Sequence, residues 1–269
     1  MNYNLTVPMT KRWRDLAVLT DFDGTVAELV TDPKDAKPVS EAIEGLRRLS
    51  TCVGLVGVVS GRPSEFLKQC LPEDLFLSAL VVGSYGEQIV LPGATEVEVV
   101  SQDKVGAPGG EAALAKGFRW VQKHLNSEGV ELEDKPYSFT IHYRRAPDKR
   151  YVVEELRDQL EDEFGLISLV AKQAIEFFEG RRPSKVLPIK RFVQNYDFVV
   201  YLGDDVSDVE VFEYLHSSDT QRSASLKIAV SSNEAPEDLN KLSDLSLDSP
   251  QEAGRWLTKL SSVLACNDR

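Results

Sequence analysis

The segment Leu16-Ala17-Val18-Leu19-Thr20-Asp21-Phe22-Asp23-Gly24-Thr25 carries the first sign of the architecture: a short apolar run that stops abruptly on two acids and a glycine. Two other runs stop in the same manner. Gly54-Leu55-Val56-Gly57-Val58-Val59 ends at Ser60-Gly61-Arg62, and Phe198-Val199-Val200-Tyr201-Leu202 ends at Gly203-Asp204-Asp205, with Asp208 one helical turn further on. Short, uninterrupted apolar runs rich in β-branched residues read as strands buried on both faces, the mark of a parallel sheet. Ligands of open parallel sheets bind just beyond the carboxyl ends of the strands. The acids, the serine and the arginine are therefore expected along one edge.

Composition narrows the class. A chain of 269 residues with 42% apolar and 28% charged residues is long enough for one large core plus a smaller insert. The net charge of -12 argues against nonspecific binding to nucleic acid or an anionic membrane, since both require a positive field. The apolar stretches fall far short of the roughly 20 residues that span a bilayer. Met1 to Arg14 shows no apolar core of a secretory signal. Cys52, Cys70 and Cys266 lack metal-ligand spacing and read as reduced, buried thiols of a cytoplasmic protein.

Residues 16 to 88 alternate strand and helix, with Ser40 to Leu49 amphipathic behind a Ser40 cap, Pro63 to Cys70 helical, and Leu80-Val81-Val82 a further strand. The same texture returns near residue 184: a helix through Val209 to Leu215, a strand Lys227 to Val230 and a last helix from Gln251 to Leu264. Alternation of this kind predicts a doubly wound α/β core. Between the halves lie a polar loop from Ser101 to Gly110, a helix from Glu111 to Leu125, a helix from Asp148 to Phe164 and a strand pair from Leu166 to Phe178. Pro136 to Arg145 alternates as a half-exposed strand, with Tyr137, Phe139, Ile141 and Tyr143 inward and Ser138, Thr140, His142 and Arg144 outward. The expected division is therefore a core of residues 1–88 and 180–269 with an α+β insert at 89–179.

The acids suggest phosphoryl chemistry. A phosphate ester repels a carboxylate until its charge is neutralised, and Mg²⁺ does this while binding one or two carboxylates. Asp21, first off its strand, is the candidate nucleophile, and Asp23 the candidate acid and base that protonates the leaving alkoxide and activates water. Asp21, Asp23 and Asp204 are candidate Mg²⁺ ligands, with Asp205 and Asp208 as ligands or as residues that orient them. Ser60 and its neighbours Gly61 and Arg62, with Thr25, are expected around the phosphoryl oxygens, and Lys185 is placed to bridge phosphate and nucleophile.

Asp21-Phe22-Asp23-Gly24-Thr25 resembles the hallmark turn of the haloacid dehalogenase superfamily. Ser60-Gly61-Arg62, Gly83-Ser84-Tyr85-Gly86, Glu133-Asp134-Lys135-Pro136-Tyr137-Ser138 with His142-Tyr143-Arg144, and Gly203 to Asp208 then resemble the trehalose-6-phosphate phosphatase family, in order and over nearly the whole chain. The resemblance implies a Mg²⁺-dependent core, a mobile cap that closes over the sugar, and hydrolysis of a small sugar phosphate, trehalose 6-phosphate, to trehalose and phosphate. It also implies that Glu133, Lys135, Ser138, His142, Arg144 and Glu176 contact the disaccharide. The protein is expected to be a cytoplasmic monomer. The chain departs from the family at Tyr85, where His is usual, at Val186, where Gly is usual, and at Glu176-Phe177-Phe178, with Arg182-Pro183 as a shifted counterpart of the family's Glu-x-Arg-Pro. Pro188 is expected to interrupt the helix after Lys185.

Single motifs have plainer readings. Glu133 with Lys135 can be a surface ion pair, His142 a solvated residue, and the acids between Glu154 and Glu163 the wet face of a helix. Two other functions stay open at this point: a phosphatase for another glycosyl phosphate, such as a glucosyl- or mannosyl-glycerate phosphate, and a non-catalytic module that binds a sugar phosphate.

Overall fold

Burial follows the apolar runs. In a computed structural model that describes residues 13–30, 32–100, 112–171, 173–217, 224–231, 236–264 and 266, strands β1 (Leu16–Thr20) and β2 (Leu55–Val59) are buried at every position. Helix α1 (Ser40–Ser50) lies between them, followed after β2 by α2 (Ser64–Cys70), α3 (Glu73–Ser78), β3 (Leu80–Gly83), β4 (Gln88–Val90) and β5 (Glu98–Val99). Next come α4 (Ala113–His124), β6 (Glu131–Asp134), β7 (Phe139–His142), α5 (Arg150–Phe164), β8 (Ile167–Ala171) and β9 (Ala174–Phe178). The chain ends with α6 (Val186–Val193), β10 (Phe198–Gly203), α7 (Val206–His216), β11 (Ala224–Val230), α8 (Glu237–Leu242), β12 (Leu245–Leu247) and α9 (Pro250–Val263).

The eight-stranded sheet has the order β12-β11-β10-β1-β2-β3-β4-β5. Pairing is parallel from β12 to β3 and antiparallel at β4 and β5. Side chains alternate across this sheet and enter two separate cores. Leu16, Val18, Val56, Val58, Val200 and Leu202 pack with Leu46, Leu49, Leu67, Leu75, Trp256 and Leu260 on one face. Ala17, Leu19, Leu55, Val59, Val199 and Tyr201 pack with Ile189, Val193, Val211, Phe212 and Leu239 on the other. Helices on both faces bury β1, β2 and β10 at every position, as their apolar runs predicted.

Cα packing divides the chain into one unit of Met1–Val99 with Ser184–Arg269 and a second of Val100–Pro183. These junctions fall later than the expected 88/89 and 179/180, because β4 and β5 extend the main sheet beyond β3. The second unit is a four-stranded antiparallel sheet, β6-β7-β9-β8, backed by α4 and α5 around Val121, Phe139, Ile141, Leu156, Leu160 and Phe177.

Several local expectations are corrected. Helix α1 begins behind Val39 rather than a Ser40 cap, since the Val39 carbonyl already accepts from Ala42 and Ile43. The strand expected over Pro136 to Arg145 is only Phe139–His142: the Tyr143 N–H still bonds to the Gln173 carbonyl, and a turn then closes from Ala146 to Tyr143. Pro188 does not interrupt α6. It lies in the first turn, where its missing N–H has no intrahelical acceptor to lose, and the first bond of the helix runs from Ile189 to Lys185. The loop at 101–110, Glu111 and residues 1–12 of the N-terminal segment lie outside the described residues.

The cysteine reading also changes. Cys52 and Cys266 form a disulfide with Cα atoms 5.4 Å apart, whereas Cys70 is free. Gly254 meets Glu41 and Ala42, and Gly45 meets Leu257 and Thr258, so α1 and α9 run in the same direction and their ends arrive together. A separation of 214 residues gave no hint of this in the sequence. These two cysteines therefore lend no support to a reducing compartment. No helix among the described residues is long and apolar enough to cross a membrane.

A Cβ added at Gly45 would lie 2.7 Å from both Leu257 Cβ and the Thr258 nitrogen, closer than packed atoms tolerate. Gly45→Val should therefore force α1 from α9 and cost about 1–3 kcal/mol of stability. Urea unfolding checks this: the midpoint should fall with an unchanged slope.

Candidate active site

The parallel register sets the positions of the acids. Thr20 is level with Leu202, and the Asp21 N–H continues the ladder by donating to the Leu202 carbonyl at 2.9 Å. Asp21 and Asp204 thus leave adjacent strands at the same edge. Gly24, at φ +82°, turns the chain so closely over Asp204 that a Cβ there would lie 2.0 Å from Asp204 Oδ2. The Thr25 hydroxyl donates to the other oxygen of that carboxylate at 3.1 Å.

Asp208 organises this edge. Its Oδ1 accepts from Lys185 Nζ at 2.8 Å and from the Tyr201 hydroxyl at 2.7 Å. Its Oδ2 accepts from the backbone N–H groups of Asp204 at 2.9 Å and Asp205 at 3.1 Å. A carboxylate offers about four acceptor positions, so Asp208 is saturated. Asp205 caps α7, accepting from the Ser207 N–H and hydroxyl at 2.8 and 2.6 Å.

Lys185 is fully buried, reaching Asp21 Oδ2 at 3.1 Å as well as Asp208. Burial opposes its charge, but the carboxylates of Asp208, Asp21 and Asp205 outweigh that, and the ammonium is held charged well above its ordinary range. Burial, with the same acids, likewise pushes the Tyr201 phenol well above its usual pKa, so it remains a donor.

Ser60 is buried beyond β2. The Ser60 hydroxyl oxygen accepts from the Arg62 N–H at 3.2 Å, and the Arg62 guanidinium grips Asp23 through both oxygens at 2.7 and 2.8 Å. Ser84 and Tyr85, at φ 50° and 53°, hold a conformation that non-glycine residues adopt at a cost. Their N–H groups bond to the carbonyls of Arg62 and Ser60, and the Tyr85 ring covers Gly61 so closely that a Cβ there would lie 2.4 Å from it. The departure at Tyr85 thus sits directly on the Ser60-Gly61-Arg62 turn.

Asp21, Asp204 and Asp208 offer carboxylate oxygens within 4.8 Å of one another. Hard oxygen donors of this kind suit Mg²⁺. Within and beside this cluster, Asp208 already accepts four hydrogen bonds, both Asp23 oxygens are engaged by Arg62, and one Asp205 oxygen caps α7.

In the second unit, Glu133, Thr140 and Glu176 stand in one cross-strand row over β6, β7 and β9. Lys135 Nζ lies 3.1 Å from Glu176 and 3.8 Å from Glu133, His142 Nε2 is 2.8 Å from Glu133, and the Ser138 hydroxyl donates to Glu176 at 2.5 Å. This face is not the solvated edge that alternation suggested, since Ser138, Thr140 and Glu176 are buried. Arg144 lies past the end of β7, in the turn after it, and Arg182 is exposed beyond β9. Val186 opens α6, and Phe177 stacks on Phe139 at 5.0 Å. Sequence reasoning missed Tyr201, whose one visible signal was a phenol inside an otherwise apolar run, seven residues before Asp208.

A buried parallel sheet with acids gathered at its carboxyl edge and an α+β insert defines a haloacid dehalogenase-like fold. A haloacid dehalogenase-like hydrolase from Bacteroides thetaiotaomicron superposes with a TM-score of 0.60 at 14% identity, over 91% of this chain and 98% of that one. The C-terminal domain of Candida albicans trehalose-6-phosphate phosphatase superposes with a TM-score of 0.75 at 20% identity, over 92% of each chain. At such identities these matches speak for the fold alone. The trehalose-phosphatase family model matches residues 19–251, and the chain belongs to that family. A trehalose-phosphate phosphatase of Mycolicibacterium paratuberculosis is 27% identical over 260 residues, and the match covers 93% of this chain but 63% of that protein.

Gly24→Ala should push the Asp204 carboxylate from its place and strain a left-handed backbone. The expected result is a rise in the Mg²⁺ concentration for half-maximal activity and at least about a tenfold loss of kcat, with an unchanged circular dichroism spectrum. Metal titration of the purified variant measures both.

Proposed function

We propose that this chain hydrolyses trehalose 6-phosphate to trehalose and phosphate, with Mg²⁺, through an aspartyl-phosphate on Asp21. The observation that carries the reaction type is the buried Asp21 carboxylate held 3.1 Å from a fully buried, charged Lys185 at the carboxyl edge of the sheet. Family membership and the name of the mycobacterial relative support the substrate.

In this reading Asp21 Oδ attacks phosphorus and the bond to the sugar oxygen breaks. Asp23 protonates the departing alkoxide, then takes a proton from the water that releases phosphate and regenerates Asp21. Because Arg62 engages both Asp23 oxygens, proton donation requires Arg62 to let one of them go. The incoming phosphoryl group is a natural competitor for that guanidinium. Ser60 and Thr25, with the backbone at Gly61, are assigned to the phosphoryl oxygens, and Lys185 to neutralising charge on phosphate and nucleophile. Mg²⁺, held by Asp21 and Asp204, would offset the negative charge of phosphate and attacking carboxylate.

The polar face of the second unit is assigned to the sugar. Glu133, Lys135, Ser138, His142 and Glu176 are already bonded to one another, which fixes donors and acceptors for hydroxyl groups. Arg144, in the adjoining turn, is assigned to the same task.

Phosphate release from a panel of trehalose 6-phosphate, glucosylglycerate phosphate and mannosylglycerate phosphate tests the substrate. Trehalose 6-phosphate should have the highest kcat/KM, a chelator should abolish turnover, and Asp21→Asn should retain less than about a thousandth of it, since an amide is a poor nucleophile. Preference for another ester, or substantial turnover by that variant, overturns the corresponding part of the proposal. His142→Ala should lower kcat/KM for trehalose 6-phosphate by about tenfold or more and leave an aryl phosphate nearly unaffected. Equal losses on both esters would instead mark damage to the fold.

A further inference from the structure

The hydroxyl of Tyr201 is buried in the first unit and ends on the oxygen that also receives Lys185: Asp208 Oδ1 lies 2.7 Å from the phenol and 2.8 Å from Nζ. The same ammonium is 3.1 Å from Asp21 Oδ2. Lys185 is therefore shared between two carboxylates, and the two claims on it are unequal. Asp208 has its other oxygen fixed by two backbone N–H groups, which leaves it no freedom to follow the lysine. A second donor on Oδ1 satisfies part of that oxygen's negative charge and weakens its hold on the ammonium. The phenol is well suited to this, as its residue is fixed within the fully buried strand β10.

We propose that Tyr201 is a positioning residue that sets how the Lys185 ammonium is divided between Asp208 and Asp21, leaving it poised toward the nucleophile. The proposal rests on the reading of Asp21 as nucleophile. Removal of the hydroxyl leaves Lys185 as the remaining side-chain donor on Asp208 Oδ1, so the ammonium is drawn deeper and away from the place where phosphate and Asp21 meet.

The test is a double-mutant cycle on kcat with para-nitrophenyl phosphate and saturating Mg²⁺, using wild type, Tyr201→Phe, Asp208→Asn and the double variant. Tyr201→Phe should lower kcat by about tenfold with KM little changed, and its effect should shrink to less than about twofold where Asp208 is already Asn. Equal losses in both backgrounds would mean that the phenol acts through packing, and an unchanged kcat in Tyr201→Phe would overturn its role altogether. Phe212→Leu keeps the proposal falsifiable if the Asp208 variants fail to fold, because it alters the packing beside the ring and leaves the hydroxyl on Asp208. It should lower thermal stability and leave kcat unchanged, and a kcat loss matching that of Tyr201→Phe would overturn the proposal. A wild-type protein that releases no phosphate from this ester or from trehalose 6-phosphate overturns the phosphatase reading itself. An active wild type with an indifferent Tyr201→Phe overturns only the role of Tyr201.

Discussion

The carboxylate of Asp208 takes hydrogen bonds from Lys185, Tyr201 and two backbone N–H groups, and through them it joins the loop before α6, the end of β10 and the first turn of α7. A buried ionised carboxylate without partners costs several kcal/mol even after relaxation. The four donors offset that cost together, so the loss of any one of them is felt at the other three. Lys185 shows the same balance from the opposite side. Burial opposes its charge, and the surrounding acids outweigh that. The charge state of the edge is thus a property of the cluster and of no single member.

Glycine makes this cluster possible. A Cβ at Gly203 would lie 2.4 Å from Asp208 Cγ, and one at Gly24 would lie 2.0 Å from Asp204 Oδ2. Each carboxylate fills the volume that a side chain on the neighbouring turn would occupy. Close approach of backbone to acid brings the N–H groups of Asp204 and Asp205 within bonding distance of Asp208. The parallel register then places Asp21 beside them, because β1 and β10 end level. Sheet, turns and acids therefore cannot be separated into scaffold and site.

Much of this was legible in the sequence because burial on both faces and side-chain chemistry are local signals. The strands before Asp21, Ser60 and Asp204 are buried at every position because helices cover both of their sides. What escaped was set by tertiary neighbours. Pro188 looked like a helix breaker, yet its place in the first turn of α6 makes it harmless. Cys52 and Cys266 looked unrelated until α1 and α9 were seen side by side. Asp205 and Asp208 were expected as metal ligands or as residues that orient them, and the hydrogen bonds add what the sequence did not show: one caps α7 and the other holds Lys185, Tyr201 and two backbone N–H groups. Alternation in Tyr137 to Arg144 gave the correct inward face, but not the burial of Ser138 and Thr140 on the opposite one.

Charge distinguishes the two polar surfaces in a way that bears on the substrate. At the sheet edge the cations Lys185 and Arg62 are held against Asp21 and Asp23, so an arriving phosphoryl group finds donors already in place and competes for them with carboxylates. On the second unit's sheet, Lys135 stands between Glu133 and Glu176, with His142 on Glu133 and Ser138 on Glu176. Acceptors there are at least as plentiful as donors, and a dianion gains little from such a face. A neutral polyol gains more, since each hydroxyl both donates and accepts. Under the proposed function, the cations of the first unit suit an anionic group, and the carboxylates of the second suit hydroxyls.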